Sequence, residues 1–186
     1  MLISSTSGLS LAFANTRYWR GSAVPTDELA NPAALVEWLA KNGALDAKRT
    51  LDNGSFVAAI ELRETLYRVF AALAAQTAPK PRDINALQSA LAATPPRNRL
   101  VQTKDGFGWQ LDATDASVSS LLAPVLWSVG DVLTGDTVQR LRLCNNDKCV
   151  YLFVDNSRSG ARRWCDMKAC GNRAKAHRHY IKSKAA

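Results

Sequence analysis

All four cysteines of this 186-residue chain lie between Cys144 and Cys170. They form two pairs, Cys144 with Cys149 and Cys165 with Cys170, and fifteen residues separate the pairs. Two closely spaced pairs with a hairpin-length segment between them are the arrangement in which two zinc knuckles close one tetrahedral site. The sequence therefore predicts that the last quarter of the chain folds around a metal ion.

The identity of that ion depends on where the protein resides. No apolar run approaches the roughly 18 residues of a membrane span, and the N-terminus has no basic residue before Arg17, which is atypical of a signal peptide. We therefore expect a cytoplasmic protein, in which disulfides are rare. Four thiolates leave no open position for water, so structural zinc is the preferred interpretation. Another metal, an iron–sulfur cluster, and free or redox-active thiols are the alternatives.

The residues around the cysteines carry their own structural signals. Residues 150–154 are β-branched and aromatic, residues 155–160 are rich in turn formers, and residues 162–164 lead back toward the second cysteine pair. This pattern predicts a β-hairpin between the pairs. The segment after Gly171 lacks Pro and Gly, which predicts a helix of about three turns. Knuckle, hairpin, knuckle and helix are the order of a treble-clef-like zinc module with four cysteine ligands.

The positive charge of the chain is concentrated in the same region. Residues 1–136 carry 12 Lys and Arg against 13 Asp and Glu, whereas residues 137–186 carry 12 against 3, a net charge of +9. A basic terminal block beside a neutral region indicates a polyanionic partner, with a solvated basic tail as the other interpretation. We predict two domains with these bounds.

Two helices are predicted in the first half of the chain. Asn31 and Pro32 are an N-cap and first-turn signal for a helix that Gly43 ends. Ser55 opens the longest periodic segment, whose apolar residues recur at helical spacing. Those residues, which we expect to face the core, are Leu62, Leu66, Val69, Phe70 and Leu73.

Two further helices and three strands complete the predicted N-terminal domain. Asp83 is expected to cap a helix that Pro95-Pro96 ends, and residues 116–133 read as a helix with a kink at Pro124 and an end at Gly135. From Leu9 to Phe13, large apolar residues fall at every second position, as they do in a short strand. Residues 99–103 and 108–111 flank a predicted hairpin turn. The predicted fold class is α+β, with a mainly helical N-terminal domain.

The N-terminal region offers no catalytic constellation. It has no glycine loop that could cradle phosphates and no pair of a nucleophile with a base. The aromatic residues Trp38, Phe70, Trp109 and Trp127 could line a ligand pocket, but core packing is the preferred interpretation. We therefore predict that the protein is not an enzyme.

Two short motifs carry a family resemblance. Residues 163–165 (RWC) and 170–173 (CGNR) resemble the bacterial CGNR zinc-finger family, described as candidate stress-induced transcription regulators, and residues 9–16 (LSLAFANT) resemble its N-terminal domain, called ABATE. The resemblance implies that zinc is bound by Cys144, Cys149, Cys165 and Cys170. It also implies a stress-response role for the protein.

The motifs and the charge together predict a DNA-binding transcription regulator. Its N-terminal domain would sense an unidentified small molecule or mediate assembly. The alternative is a zinc module that binds RNA or protein without sequence-specific DNA binding. Lys and Arg side chains neutralise phosphates, and amide and guanidinium groups such as those of Asn172, Arg173 and Arg178 can contact base edges. The predicted nucleic-acid contacts are Arg158, Arg162, Arg163, Asn172, Arg173, Lys175, Arg178 and Lys182.

Overall fold

A computed structural model describes residues 2–3, 6, 8–44, 50–104, 106–111 and 117–184, with the side chains of residues 177–179 and 182 left out. The helices are α1 (Leu9–Ala14), α2 (Pro32–Lys41), α3 (Asn53–Ala74), α4 (Pro81–Ala92), α5 (Val118–Leu121), α6 (Ala123–Thr134) and α7 (Asn172–Lys184). The strands are β1 (Leu2–Ile3), β2 (Arg17–Tyr18), β3 (Thr26–Asp27), β4 (Leu100–Thr103), β5 (Gly106–Gln110), β6 (Leu141–Leu143) and β7 (Leu152–Val154). This is the predicted α+β class. Among the described residues, no helix is both long enough and apolar enough to cross a membrane.

The long helix α3 is the centre of the fold. Its N-cap is Asp52, whose carboxylate accepts a hydrogen bond from the Ser55 backbone N–H at 2.9 Å, so the helix begins two residues before the predicted start. Leu66, Val69 and Phe70 are buried as expected, because they repeat at helical spacing on one face. Around this face pack α1, α2, α4 and the strands β6 and β7.

The prediction for α2 is confirmed. The side chain of Asn31 accepts a hydrogen bond from the Ala34 backbone N–H at 2.9 Å, and Pro32 occupies the first turn. Gly43 follows the helix with a φ of +66°, a conformation that favours glycine because a Cβ atom would be strained there.

The predicted strand at Leu9 to Phe13 is wrong, because these residues form helix α1. Leu9, Leu11 and Phe13 are buried, and so are Ser10 and Ala14 between and beyond them. A helix that is enclosed on several sides, here by α3 and α6, buries residues without the 3.6-residue period that an amphipathic helix shows. The alternation in the sequence therefore reflects burial on all sides and not a pleated strand.

Asp83 does not cap a helix as predicted. Helix α4 starts at Pro81, after Lys80, and its N-cap makes no side-chain hydrogen bond. Asp83 is instead buried and accepts hydrogen bonds from Arg68 of α3, the shortest at 2.7 Å. A carboxylate that neutralises a guanidinium across two helices outweighs a local cap, because charge-assisted hydrogen bonds are the stronger ones.

The segment predicted as one kinked helix is two helices. Helix α5 ends at Leu121, α6 begins at Ala123, and Pro124 lies in the first turn of α6. Proline is favoured there because the first-turn N–H groups have no intrahelical partner in any case. Gly135 follows the end of α6 as predicted, and the predicted start at residue 116 lies outside the described residues.

The predicted hairpin of β4 and β5 is confirmed, with Val101 opposite Gly108 in an antiparallel register. Strand β1 pairs with the other edge of β5 and completes a three-stranded sheet. Trp127 packs beneath this sheet with Trp109 against it, whereas Trp38 and Phe70 lie in the main core. The four aromatic residues therefore serve core packing, as the preferred interpretation held.

A buried ion-pair network links α3 to the N-terminal strands. The Arg63 side chain is only 1% exposed and binds Asp27 through two hydrogen bonds of 2.6 and 2.7 Å. Its Nε donates to Glu64 at 3.0 Å, and Glu64 also accepts from Arg20 at 2.6 Å. Burial acts to raise the pKa of Glu64, but the hydrogen bond and charge of Arg20 hold that pKa below its usual range.

We expect the replacement Arg63→Met to lower the free energy of unfolding by about 2 kcal/mol. Removal of one partner of a fully buried pair costs about 3–5 kcal/mol, and the effect is smaller here because Asp27 and Glu64 are partly exposed. Urea unfolding measures it. The control Arg97→Met removes a more exposed pair with Asp131 and should cost less than about 1 kcal/mol. Equal losses in the two variants would contradict the prediction.

Candidate metal centre and nucleic-acid interface

The first cysteine pair lies in the turn of a β-hairpin. Strand β7 pairs with β6, with Arg142 opposite Phe153, so the first zinc knuckle (residues 144–149) joins the two strands. This corrects the prediction of a hairpin between the cysteine pairs, since residues 162–164 form no strand. The reason is Asp155, whose carboxylate accepts hydrogen bonds from the backbone N–H groups of Ser157 and Arg162 and folds the chain into a loop.

The second cysteine pair lies at the start of α7. The Asp166 side chain caps this segment by accepting a hydrogen bond from the Ala169 N–H at 2.6 Å. A single turn of π-helix, Met167–Gly171, then brings Cys170 back toward Cys165 before α7 begins. A Cβ atom on Gly171 would lie 2.6 Å from the Met167 sulfur, so a larger residue there would displace the exposed Met167 side chain. The order of two knuckles with a helix at the second is that of a treble-clef-like module.

The four cysteine sulfurs converge on one point. All four lie within 4.8 Å of one another, and the Cys149–Cys165 and Cys165–Cys170 Sγ–Sγ distances are 3.7 and 3.8 Å. A tetrahedral zinc site with Zn–S bonds of about 2.3 Å requires sulfurs about 3.8 Å apart. The donor set and its geometry therefore fit a zinc ion bound by four thiolates.

The surroundings of the sulfurs fit a cation as well. Burial, together with the charge on Cys144, raises the pKa of Cys149 to about 12, so four thiolates would not coexist here without a positive ion. A bound divalent cation reverses this, because coordinated thiols are deprotonated. The Asn146 side chain donates a hydrogen bond to the Cys170 sulfur at 3.6 Å, which orients the ligand and offsets thiolate charge.

Comparisons with known proteins agree with this geometry. Residues 7–136 match the ABATE family model, described as "Putative stress-induced transcription regulator", and this match covers more than two thirds of the chain. The chain belongs to the ABATE family. Residues 140–183 of this ABATE protein match the CGNR zinc finger, so its metal ion is zinc. No curated protein matches the chain. The ABATE and CGNR matches indicate a regulator with a zinc module; the boundary after residue 136 stays a prediction.

The zinc module of the ABATE protein is bound into the N-terminal core. Leu141 of β6 and Leu152 of β7 are buried in the same apolar cluster as α3. The Asn15 side chain donates to the Leu152 carbonyl at 2.8 Å and accepts from the Leu152 N–H at 3.0 Å, and both bonds are buried. Tyr67 of α3 donates to the Val150 carbonyl at 2.7 Å. The position of the first knuckle is therefore fixed by the N-terminal residues.

A loop of the N-terminal region also contacts the first knuckle directly. The Gly21 N–H donates to the Lys148 carbonyl at 3.2 Å, and a Cβ atom on Gly21 would lie 1.8 Å from the Asp147 carbonyl oxygen. Only glycine permits this approach. Trp19, two residues earlier, lies under the Arg173 guanidinium, which is 4.6 Å from the indole centroid. The N-terminal loop that contains Trp19 and Gly21 therefore lies against the zinc module.

The predicted nucleic-acid contacts fall in two groups. Arg158, Arg162 and Arg163 lie exposed in the loop after β7, and Asn172, Arg173 and Lys175 lie exposed at the start of α7. Side chains of the remaining two, Arg178 and Lys182, lie outside the described residues. The structure thus presents six of the eight predicted residues on the surface of the zinc module.

Arg162 differs from the other basic residues of this set. Its guanidinium donates to the carbonyl oxygens of Trp164 and Cys165 and lies 4.8 Å from the centroid of the Phe153 ring. These contacts hold the chain at Trp164 and Cys165, the start of the second cysteine pair, against Phe153 of β7. Arg162 therefore stabilises the fold of the zinc module, in addition to its predicted contact with nucleic acid.

The three acidic residues of the module, against 12 basic ones, accept hydrogen bonds from its own backbone. Asp147 accepts a hydrogen bond from the Lys148 N–H, and Asp155 and Asp166 cap the turns described above. In the described part of the module no salt bridge joins these carboxylates to Arg158, Arg163, Arg173 or Lys175. By contrast, guanidinium groups of the N-terminal region pair with carboxylates. The module therefore presents uncompensated positive charge.

Sequence reasoning missed the residues that surround the first knuckle. Trp19 lies in a loop of the N-terminal region, and Lys148 lies between the first two cysteines. Neither carries a pattern that distinguishes it from an ordinary surface residue. The signal that could have suggested Lys148 is its place inside the Cys-x4-Cys segment, because residues between knuckle cysteines are held rigidly at the surface by the metal.

Proposed function

We propose that this protein is a DNA-binding transcription regulator that is not an enzyme, in which a structural zinc ion holds a basic surface rigid for contact with duplex DNA. The observation that supports the proposal is the uncompensated charge of the module. Arg158, Arg163, Arg173 and Lys175 are exposed, while the nearby carboxylates bind backbone N–H groups. Such a surface binds phosphates and releases their condensed counterions.

The zinc ion contributes rigidity and not reaction chemistry. Four thiolates leave no coordination position for water or substrate, and the basic residues flank the ligands: Arg163 lies two residues before Cys165, and Arg173 lies three residues after Cys170. Because zinc fixes the backbone that carries these cations, binding costs less backbone-ordering entropy than it would for a flexible tail. The proposal therefore predicts that chelation of zinc weakens DNA binding.

We expect Lys175→Ala to weaken binding to duplex DNA and to reduce the salt dependence of binding. Loss of one phosphate contact lowers the slope of log K against log salt by about one. Fluorescence anisotropy of a labelled duplex across a salt series measures it, with zinc content checked in parallel. The control Lys80→Ala removes the same charge at the start of α4 and should leave the slope unchanged.

Two results would contradict this proposal. An identical salt slope for Lys175→Ala and the parent protein would remove Lys175 from the contact surface. Tighter binding to structured RNA than to duplex DNA at every salt concentration would favour the RNA-binding alternative, and failure to bind either at low salt would favour a protein partner.

A further inference from the structure

A groove of about 750 Å³ lies where the N-terminal loop meets the zinc module. Its lining includes Trp19 with the Arg173 guanidinium over the indole ring, Asn146 and Lys148 of the first knuckle, and Arg163 and Trp164. Volumes of this size are typical of sites for small organic groups. The groove is partly open to solvent, so a unit of a longer polymer could enter it as readily as a free molecule.

The walls of this Trp19 groove are held in place by backbone contacts. Gly21 binds the Lys148 carbonyl from the N-terminal side, and the Asn145 N–H donates to the Arg163 carbonyl at 2.9 Å across the two knuckles. Zinc ligation fixes the same segments, because the neighbouring residues Cys144, Cys149 and Cys165 are ligands. The groove is therefore formed before any ligand arrives, which reduces the entropy cost of binding.

The charge of the groove selects an anion. Lys148, Arg163 and Arg173 contribute three positive charges, and Asp147 is the one carboxylate among the lining residues. That carboxylate already accepts a hydrogen bond from the Lys148 backbone N–H. The net charge of the described lining is thus positive, and a phosphate placed here would face donors that can form charge-assisted hydrogen bonds.

The two tryptophans narrow the ligand class further. The indoles of Trp19 and Trp164 are half-buried, and Arg173 and Arg163 lie 4.6 and 5.5 Å from their centroids. Alternation of aromatic faces with cations is the arrangement that binds nucleotides, since each base has a flat face and each linkage a negative charge. An acidic peptide would use the cations but offers no flat face to stack on these indole–guanidinium pairs.

We propose that the Trp19 groove binds a single nucleotide unit, with its phosphate beside Lys148 and Arg163 and its base against the indole of Trp19. The proposal rests on the proposed function, because it assigns part of the nucleic-acid contact to the N-terminal region. A base that is paired and stacked in a duplex cannot lie on an indole. The groove therefore recognises an unpaired nucleotide, either in a DNA strand or as a free mononucleotide.

The test measures binding of a labelled 15-nucleotide oligothymidine, the matching duplex, and thymidine monophosphate to the zinc-loaded full chain. We expect Trp19→Ala to weaken binding of the single strand at least about fivefold, the lower end of what one base–aromatic stack contributes. The variant should weaken duplex binding less, because there it removes only the contact that positions Arg173. Trp19→Phe should restore most of the loss, because a smaller ring still stacks. Zinc content and circular dichroism exclude unfolding as the cause.

Tyr18→Ala is the matched control, since Tyr18 is an exposed aromatic residue next to Trp19 whose hydroxyl binds Glu28 and which does not line the groove. Equal losses of single-strand affinity in Tyr18→Ala and Trp19→Ala would overturn the groove assignment, and so would no loss in Trp19→Ala. In either case, binding to the duplex would still support the proposed function. Absence of binding to the duplex and to the single strand would overturn both. The chain has five tryptophans, so the readout is fluorescence quenching that the parent protein shows and Trp19→Phe lacks. Such quenching by the mononucleotide would identify a free nucleotide as a ligand, and quenching by the oligonucleotide alone would identify the strand.

Discussion

Replacement of Cys165 by serine is expected to remove zinc from the protein and to abolish the proposed binding to DNA. The three remaining sulfurs cannot complete a four-thiolate site, and structural zinc in small modules contributes an apparent binding free energy of about 10–16 kcal/mol. Elemental analysis of the purified, reduced protein measures the first effect, and anisotropy of a labelled duplex measures the second. This is the largest effect that we expect from any single substitution.

The loss of zinc should also destabilise the N-terminal region. Leu141 and Leu152 flank the first knuckle and are buried in the main core, so disorder in the knuckle removes part of the surface that covers α3. We therefore expect Cys165→Ser to lower the thermal unfolding midpoint of the whole chain. A separate N-terminal transition at the midpoint of the parent protein should not appear.

Cys165→His is the rescue control for this prediction. An imidazole nitrogen can replace one thiolate in a site of three cysteines and one histidine, and Cys165 is the least buried of the four cysteines, which leaves room for the ring. This variant should retain zinc. A full complement of zinc in Cys165→Ser, by contrast, would show that Cys165 is not a ligand.

The second large effect is expected for Asn15→Ala. The Asn15 side chain satisfies the buried N–H and carbonyl of Leu152 at once, and each buried backbone group left without a partner costs about 1–3 kcal/mol. The free energy of unfolding should therefore fall by about 2–6 kcal/mol. Because Leu152 begins β7, the same variant should release zinc to a competing chelator faster than the parent protein does.

Asn42→Ala provides the comparison for Asn15→Ala. The Asn42 side chain also donates to a backbone carbonyl, that of Trp38 at 2.8 Å, but it lies at the exposed end of α2. Water can replace this bond, so the loss should stay below about 1 kcal/mol. Losses of equal size in urea titrations would show that Asn15 acts as an ordinary surface amide.

Where prediction from sequence succeeded, a local signal was sufficient. Asn31 and Pro32 define the start of α2 by hydrogen bonding within a single turn. Where it failed, a distant partner decided the outcome. Asp83 has the sequence position of a helix cap but neutralises Arg68 of a neighbouring helix, and the alternation of residues 9–13 hides a helix that other helices enclose.

In the zinc module as well, prediction succeeded from local spacing and failed where distant residues decide the structure. The spacing of Cys144, Cys149, Cys165 and Cys170 predicted one metal site because short loops between ligands permit few geometries, and the sulfurs do converge. The strand partner of residues 152–154 was predicted wrongly, since pairing depends on Asp155 folding the following loop. Residues outside the module, such as Trp19, carry no local sign that they border it.

The sequence by itself determined the metal site, the α+β class and the concentration of positive charge, because each depends on residue types and short spacings that hold in any environment. Only the tertiary structure decided that the zinc module and the N-terminal core share buried strands, and that Trp19 and Lys148 border one groove. Contacts between residues more than a hundred positions apart, such as Asn15 with Leu152, depend on how the helices pack, and no local pattern encodes that packing.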